Sequence, residues 1–332
     1  MENPQGTFFH LLTWRDLIAR RFCYEAFYLY VEEAGEIRGL LPLFLVKSLL
    51  FGRSLVSIPL GVYGGIISTS AEAEKLLFQS AEELAHRSRV RYIEIRGNPY
   101  RSGVNGFTSA NHHLEKKDLY TTFIRDIAPS AEMNLERIPR KQRRMIRQGQ
   151  QFGLRSVMDD GRLWDFYEVY AQSVRNLGTP VYSFGYFQDL QSAFAEQCRL
   201  LLVEYQSKII AGVLAFLFKD QILPYYGGSL PHERHLAPND FMYWELMSFA
   251  AANGYRVFDF GRSKKETGSF HFKRHWGFEP LPLPYLYYRI NGARVPDTSS
   301  LNPRLQWAVR AWRRLPLKLT MAIGPHLVRH IP

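Results

Sequence analysis

Apolar and polar positions along this chain change period several times, and the changes outline its elements. Residues 27–31 (Phe-Tyr-Leu-Tyr-Val) are aromatic and β-branched and predict a strand, a turn at Gly35 follows, and residues 37–46 predict a second strand. Residues 55–67 form an apolar run broken by Pro59, Gly61, Gly64 and Gly65. The period then becomes 3.6 over residues 71–87. Leu76, Leu77, Ala81, Leu84 and Ala85 share one face there, with acids near the start, which predicts an amphipathic helix. Residues 91–97 (Arg-Tyr-Ile-Glu-Ile-Arg-Gly) return to strand character.

The second half repeats this order. Strands are predicted at 199–204 and 209–218 with a turn at Ser207-Lys208, and at 223–228. A helix follows at 240–252, with Asn239 as its N-cap and Gly254 as its stop, and then a strand at 256–261. Tyr63-Gly64-Gly65 recurs as Tyr226-Gly227-Gly228, 163 positions later, and Arg91-Tyr-Ile-Glu-Ile recurs as Arg256-Val-Phe-Asp-Phe, 165 positions later. Near-constant offsets argue for a duplicated α/β unit in which Glu94 and Asp259 are counterparts.

Between the halves, residues 134–155 carry Arg137, Arg140, Lys141, Arg143, Arg144, Arg147 and Arg155, with no acid after Glu136. Pro139 suits a helix first turn, and Gly149 and Gly153 mark its end. Solvated helices usually mix signs, so this face fits an anionic partner, with Arg140, Lys141 and Arg144 as candidate anion ligands. A helix at 163–176 leads into Arg175-Asn176-Leu177-Gly178-Thr179-Pro180, a rigid turn that either projects polar groups into a cleft or turns a corner. In the tail, Leu301, Leu305, Ala308, Trp312 and Leu315 share one helical side; Arg310, Arg313 and Arg314 lie on the other, with Arg304 an exception. That pattern suits an interfacial membrane helix, and equally a helix packed on the protein's own core.

Composition narrows the partners. The 332 residues are 46% hydrophobic and 22% charged, enough for two domains with full cores, and the net charge is +11. Such a balance favours an anionic partner: nucleic acid, acidic lipid, phosphate ester or acidic glycan. Cys23 and Cys198 are far apart and form no metal or redox motif, which fits a reducing compartment. The N-terminal residues lack signal-peptide character, and no apolar run approaches a bilayer span, so a cytoplasmic protein is expected.

The candidate chemistry concentrates at residues 255–278, where the strand carrying Asp259 runs into a loop bearing Arg262, Lys264, Lys265, Lys273 and Arg274. Cations just past a strand end suit an anionic donor. Acyl transfer to an amine needs a deprotonated amine, a stabilised oxyanion and a held donor. Asp259 suits positioning or deprotonation of the amine, or capping of the loop. Lys273 suits stabilisation of negative charge, and Arg262 and Lys264 suit donor phosphate. Tyr225 or Tyr226 suits acceptor orientation or late proton donation, though at least one reads better as core. His271 and His275 flank Lys273 as further bases or surface residues. No Ser-His-Asp order or metal-ligand spacing stands out, so no metal is expected.

Several segments resemble one family. Arg175-Asn-Leu-Gly-Thr-Pro180, Tyr225-Tyr-Gly-Gly228, Asn239-Asp-Phe-Met-Tyr-Trp-Glu245 and Phe258-Asp-Phe-Gly-Arg-Ser-Lys264 are similar to FemAB-related proteins associated with the exosortase/PEP-CTERM system. So are Thr267-Gly-Ser-Phe270, Phe272-Lys-Arg-His-Trp-Gly-Phe-Glu-Pro280 and Gly324-Pro-His-Leu-Val-Arg329. The likeness is strongest from about residue 135 onward. It implies an α/β (α+β) fold of two tandem GNAT-like acyltransferase domains, each a mixed central sheet flanked by helices. The expected boundaries are 1–120 for the first domain, 121–292 for the second, including the basic segment 134–155, and 300–332 for the basic amphipathic tail.

The resemblance further implies an N-acyl or aminoacyl transferase acting on a cell-surface glycan or peptide precursor, in exopolysaccharide or cell-envelope biosynthesis. The donor is acyl-CoA, an acyl carrier or aminoacyl-tRNA. Contact with RNA (tRNA) or anionic lipid at the inner face of the cytoplasmic membrane is expected as well. Phe272-Lys273 falls where FemAB transferases carry a Phe-Lys pair near the reacting centre. The site expected from motifs and residue chemistry joins Asp259, Lys273 and Tyr226 as catalytic groups to Arg175, Asn176, Asn239, Asp240, Arg262, Lys264, Phe272 and Arg274 as donor or substrate ligands.

One departure stands out. GNAT enzymes hold the CoA pyrophosphate on an Arg/Gln-x-x-Gly-x-Gly/Ala loop at a helix start. Residues 228–239 here read Gly-Ser-Leu-Pro-His-Glu-Arg-His-Leu-Ala-Pro-Asn, with two prolines that lack N–H donors, and Asp240 adds negative charge. The alternative is therefore a non-catalytic membrane-surface scaffold of an envelope assembly system.

Overall fold

The computed structural model describes residues 3–48, 51–100, 114–293 and 303–330. The chain forms two compact units: residues 1–121, 281–298 and 329–332, and residues 122–280 and 299–328.

The first unit begins with helix α1 (Leu12–Phe22), followed by strands β1 (Glu25–Glu33), β2 (Glu36–Ser48) and β3 (Gly52–Val56). Helix α2 (Ala71–Arg87) crosses over to β4 (Tyr92–Ile95), and β5 is Leu114–Lys117. Helix α2 starts where the Ser70 side chain accepts from the Ala73 N–H, with Glu72 and Glu74 on its positive end. The sheet order is β1-β2-β3-β4, then strand Tyr285–Arg289, then β5. Tyr285–Arg289 falls within the sequence-based 121–292 segment, yet it pairs antiparallel with β4. Leu41, Leu43, Leu77, Phe78, Ala81 and Ile93 build the core between α2 and the sheet.

The second unit repeats the plan. Strand β6 (Ile124–Asp126) precedes helices α3 (Ala131–Arg137) and α4 (Arg140–Gln151). Strand β7 (Arg155–Met158) and helices α5 (Leu163–Leu177) and α6 (Phe184–Ala193) come next. Then follow β8 (Cys198–Tyr205), β9 (Lys208–Phe218), β10 (Gln221–Ser229), helix α7 (Pro238–Ala252), β11 (Val257–Asp259) and helix α8 (Gly268–His275). The sheet order is β6-β11-β10-β9-β8-β7. Helices α9 (Pro303–Arg314) and α10 (Leu317–Val328) complete the unit.

Register shows the duplication more sharply than sequence does. The β1–β2 hairpin turns through Ala34-Gly35 and the β8–β9 hairpin through Gln206-Ser207, all four residues with positive φ as a two-residue hairpin turn requires. Each hairpin carries a bulge at the same distance from its turn, between Val31 and Glu32 and between Val203 and Glu204. In each unit the strand after the long helix joins the sheet in parallel: β3 with β4, and β10 with β11.

Three local expectations change. Helix α7 begins at Pro238 rather than Asp240, and Ala237 in the left-handed region (φ 57°) takes the N-cap place expected for Asn239. Proline's fixed φ makes it a natural first helical residue, which moves the start upstream. Gly149 does not end the basic helix. It lies inside α4, where a Cβ would sit 3.0 Å from the Cβ of Phe241 on α7, so glycine permits the close helix approach. The segment after Asp259 is also no open loop, because residues 268–275 are helical.

Candidate active site

Strand β11 ends on Asp259, whose carboxylate is fully buried (0% exposed). Its Oδ1 accepts from the N–H of Gly261 at 2.8 Å, a loop-capping contact around a glycine whose φ is +69°. Helix α8 then brings Lys273 back to the same turn. Its Nζ donates to the carbonyl oxygens of Gly261 (2.9 Å) and Arg262 (3.2 Å) and lies 5.7 Å from the centroid of the Phe123 ring. Burial pushes the Lys273 pKa down to about 7, Asp259 opposes that fall, and Arg262 adds to it. The residue as a whole is half-buried, and its ammonium sits among carbonyls and an aromatic ring.

Helix α8 forms because Phe270 anchors it in the core and the fully buried Trp276 follows its last turn. Lys273, Arg274 and His275 occupy that last turn, where the helix dipole favours cations. Two residues either side of Lys273 on a helix, His271 and His275 project away from it; His271 faces Glu266 at 3.5 Å. Phe272 packs among Tyr243, Phe260 and Trp276. Arg274 is exposed, with its guanidinium 5.8 Å from the Phe270 ring. Arg262 and Lys264 are half-buried on the turn and the short strand that follows it.

Strands β10 and β11 pair over only two positions, Gln221 with Val257 and Ile222 with Phe258. Beyond Ile222, among the described residues, β10 has no strand partner on that side. In the first unit the matching pair continues one step further, Val56 with Glu94. The second sheet thus parts just before its acid. Tyr243 of α7 lies beside the parted edge: a Cβ on Gly227 would sit 3.3 Å from its hydroxyl oxygen. The same ring stacks edge-on with Phe260, and burial pushes its pKa up to about 12.

The remaining candidates lie in other parts of the unit. Tyr226 is buried in an aromatic cluster with Tyr170, Tyr182 and Phe187, and its hydroxyl is 2.9 Å from that of Tyr186. Burial drives its pKa well above the ordinary tyrosine value, so the phenol is neutral at physiological pH. Arg175 donates to its neighbour Asn176 (3.2 and 2.9 Å) at the end of α5. The turn beyond them receives the tail: a Cβ on Gly178 would collide with the Val309 side chain.

At the start of α7, Asn239 is half-buried and Asp240 accepts from Trp276 Nε1 at 3.0 Å. Burial raises the Asp240 pKa to about 6, while the Trp276 bond, its own backbone N–H and Lys141 pull it down. That helix start is therefore a poor phosphate cradle: Pro238 has no N–H to offer, and a carboxylate occupies the anion position.

Helix α4 turns Gln142, Ile146 and Gly149 inward against α7 and exposes Arg140, Lys141, Arg144 and Arg147. Among the described residues, Arg140, Arg144 and Arg147 make no ion pair with a carboxylate. A surface groove of about 420 Å³ runs beside Arg144, Arg147, Gln148, Gln151 and Phe152. Sequence reasoning missed this groove's glutamines and Phe152, and also Phe123 and Tyr243. Phe123 precedes Lys273 by 150 positions, and no periodic or motif signal marks it.

In the first unit the counterpart acid is closed off. Glu94 binds Arg96 Nε at 3.0 Å and accepts from the Tyr287 hydroxyl at 3.1 Å, and both members of the ion pair are buried. The Arg96 guanidinium also donates to the Gly61 carbonyl and sits over Tyr285.

Residues 134–274, which hold this site, match the family model described as an acetyltransferase (GNAT) domain. No curated protein sequence matches the chain. Among solved structures, FemX aligns with a TM-score of 0.68 at 17% identity, covering 93% of this chain and 96% of its own. The C-terminal domain of a putative lysylphosphatidylglycerol synthetase from Agrobacterium fabrum aligns at 0.58 and 14% identity, covering 83% and 88%. A tandem GNAT protein from the clavulanic acid biosynthesis pathway aligns at 0.53 and 12% identity, covering 82% and 85%. The fold is that of two tandem GNAT-type domains.

Proposed function

We propose that this protein is an acyl or aminoacyl transferase whose chemistry resides in the second unit, at the turn shared by Asp259 and Lys273. The observation that carries the reading is the Lys273 ammonium, held by two backbone carbonyls beside the place where β10 and β11 part. An acceptor amine attacks the donor's ester or thioester carbonyl. The carbonyl oxygen gains negative charge, the new C–N bond forms, and the bond to the leaving group breaks. The proton shed by the amine ends on the leaving oxygen or sulfur. An ammonium has three N–H donors, and Lys273 spends two on carbonyls, which leaves one for the oxyanion or a donor phosphate. Asp259 is a positioning residue: it fixes the turn and opposes the burial-driven fall of the Lys273 pKa.

The blocked start of α7 favours a donor gripped by side chains over one cradled by a helix end. The cationic face of α4 supplies such side chains and suits an aminoacyl-tRNA better than acyl-CoA. The acceptor we infer is an amine on a cell-surface glycan or peptide precursor, met at the cytoplasmic face of the membrane. The motif resemblance to the exosortase-associated branch and the fold shared with FemX support this choice.

The test is a reconstituted transfer assay offering aminoacyl-tRNA and acyl-CoA to amine acceptors, with wild type, Lys273→Ala and Asp259→Asn. Loss of turnover in Lys273→Ala with an unchanged melting curve is expected. Wild-type turnover in that variant, or no transfer from either donor alongside unaltered envelope chemistry in a deletion strain, sinks the reading in favour of a scaffold.

A further inference from the structure

The C-terminal helix pair is half committed to the core. Trp312 of α9 and Thr320, Gly324 and Val328 of α10 are buried. Val309 presses on Gly178, an Arg313 guanidinium N–H donates to the Leu177 carbonyl, and Gly324 lets α10 approach the backbone of Val181. The packing leaves other faces of both helices uncovered, and their composition is unusual for a solvated surface.

On α9, Trp307, Arg310 and Arg314 follow the i, i+3, i+7 spacing of one helical face, and Trp307 is 72% exposed. On α10, Leu319, Ile323 and Leu327 recur every four residues and are all exposed. Exposed Lys318 adjoins that ridge. No acidic residue follows Asp297 in the chain, so neither helix carries an acid of its own to offset the cations.

We propose that this face docks the protein on an anionic phospholipid bilayer, with Trp307 and the Leu319–Ile323–Leu327 ridge entering the headgroup–acyl boundary. Arg310, Arg314 and Lys318 then lie against lipid phosphates. Tryptophan and aliphatic residues beside arginine and lysine match the two parts of an anionic membrane surface. A second copy of the chain is a poorer occupant, because a self-complementary interface would bring the arginines and lysine of two such helix pairs together. RNA is poorer too, since leucine and isoleucine offer bases no flat ring to stack on. The inference goes beyond the transfer reading and does not depend on it.

The experiment uses the full chain with vesicles of phosphatidylcholine alone and of phosphatidylcholine mixed with phosphatidylglycerol, read by co-sedimentation, and needs no turnover. Binding should require phosphatidylglycerol and weaken as salt rises. Each cation near an anionic surface contributes about fivefold, so the triple variant R310Q/R314Q/K318Q should bind on the order of 100-fold more weakly. L319S/I323S should also lose binding, while its circular-dichroism melt matches wild type because both residues are exposed. The proposal is overturned by wild type that ignores phosphatidylglycerol, or by a triple variant that binds like wild type. It is equally overturned if the variants instead abolish self-association or RNA binding while vesicle binding persists.

Discussion

Asp259 and Lys273 grip the same residue from opposite sides: the carboxylate takes the N–H of Gly261, and the ammonium takes its carbonyl. They are separated by 14 positions, with Lys273 in the last turn of helix α8, and a turn one residue wide joins them. The counterpart acid in the first unit is instead joined to Arg96, two positions away on its own chain segment. A local pair of that kind neutralises a charge and seals it, whereas the Lys273 amine is held by uncharged backbone carbonyls.

Lys273→Met should lower kcat/KM on the order of 100- to 1,000-fold, the usual loss when one oxyanion donor is removed. The wild-type profile should also fall as pH rises through about 7, because the protonated form supplies the charge and burial has brought its pKa there. Steady-state kinetics from mildly acidic to alkaline pH check both. A rate that climbs through that range would instead make Lys273 a base.

Asp259→Asn removes the negative charge that holds the Lys273 pKa up. The descending limb should therefore move to lower pH, in addition to any loss of rate. A purely structural role for Asp259 predicts a lower rate with an unmoved limb, so the profile separates the two.

Asp240 gives a stability prediction with a definite sign. Its folded pKa of about 6 lies above the ordinary 3.8, so the native state holds a proton that the unfolded chain has released between those values. Stability attributable to this group is present below 3.8 and lost as pH rises through about 6. Asp240→Asn keeps an acceptor for Trp276 and should raise stability at pH 7, by about 1 kcal/mol once solvent screening of the incompletely buried side chain is allowed for. At a pH below about 4 the difference should vanish. Melting curves at the two pH values decide it.

Arg140→Gln, Arg144→Gln and Arg147→Gln together should raise the KM for a polyanionic donor and leave kcat and the melting temperature nearly unchanged. With aminoacyl-tRNA, the slope of log affinity against log salt should shrink by about 0.7–0.9 for each phosphate contact removed. Filter binding over a salt series measures that slope, and an unaltered one would move the donor off this face.

Arg96→Met should cost about 3–5 kcal/mol, because Glu94 would keep its burial and lose its ionic partner. Hydrogen exchange should place the loss in β4 and its neighbours. Transfer activity per folded molecule should survive, since this pair belongs to the sealed first unit.

The sequence by itself was enough for the duplicated hairpin, helix and strand of each unit and for the counterpart acids Glu94 and Asp259. Those features are local: period 2 or 3.6, a turn pair, a glycine doublet, and offsets that repeat. It also marked Lys273 and the cationic run around Arg144, because residue type and charge imbalance need no partner to be seen. Tertiary structure alone decided what those residues face. Helix α8 exists because Phe270 and Trp276 bury, and its winding turns Lys273 toward Gly261 and the histidines away. Phe123 reaches the ammonium from 150 positions upstream, and Tyr226 is drawn into an aromatic cluster built by α5 and α6. The tail's pattern suited core packing and membrane contact equally. Packing through Gly178 and Gly324 fixes which face is covered, and so which face, with Trp307 and the Leu319 ridge, is left to meet a partner. Contacts between distant segments carry no periodic signature, which is why residue type and charge were legible in the sequence and the geometry around them was not.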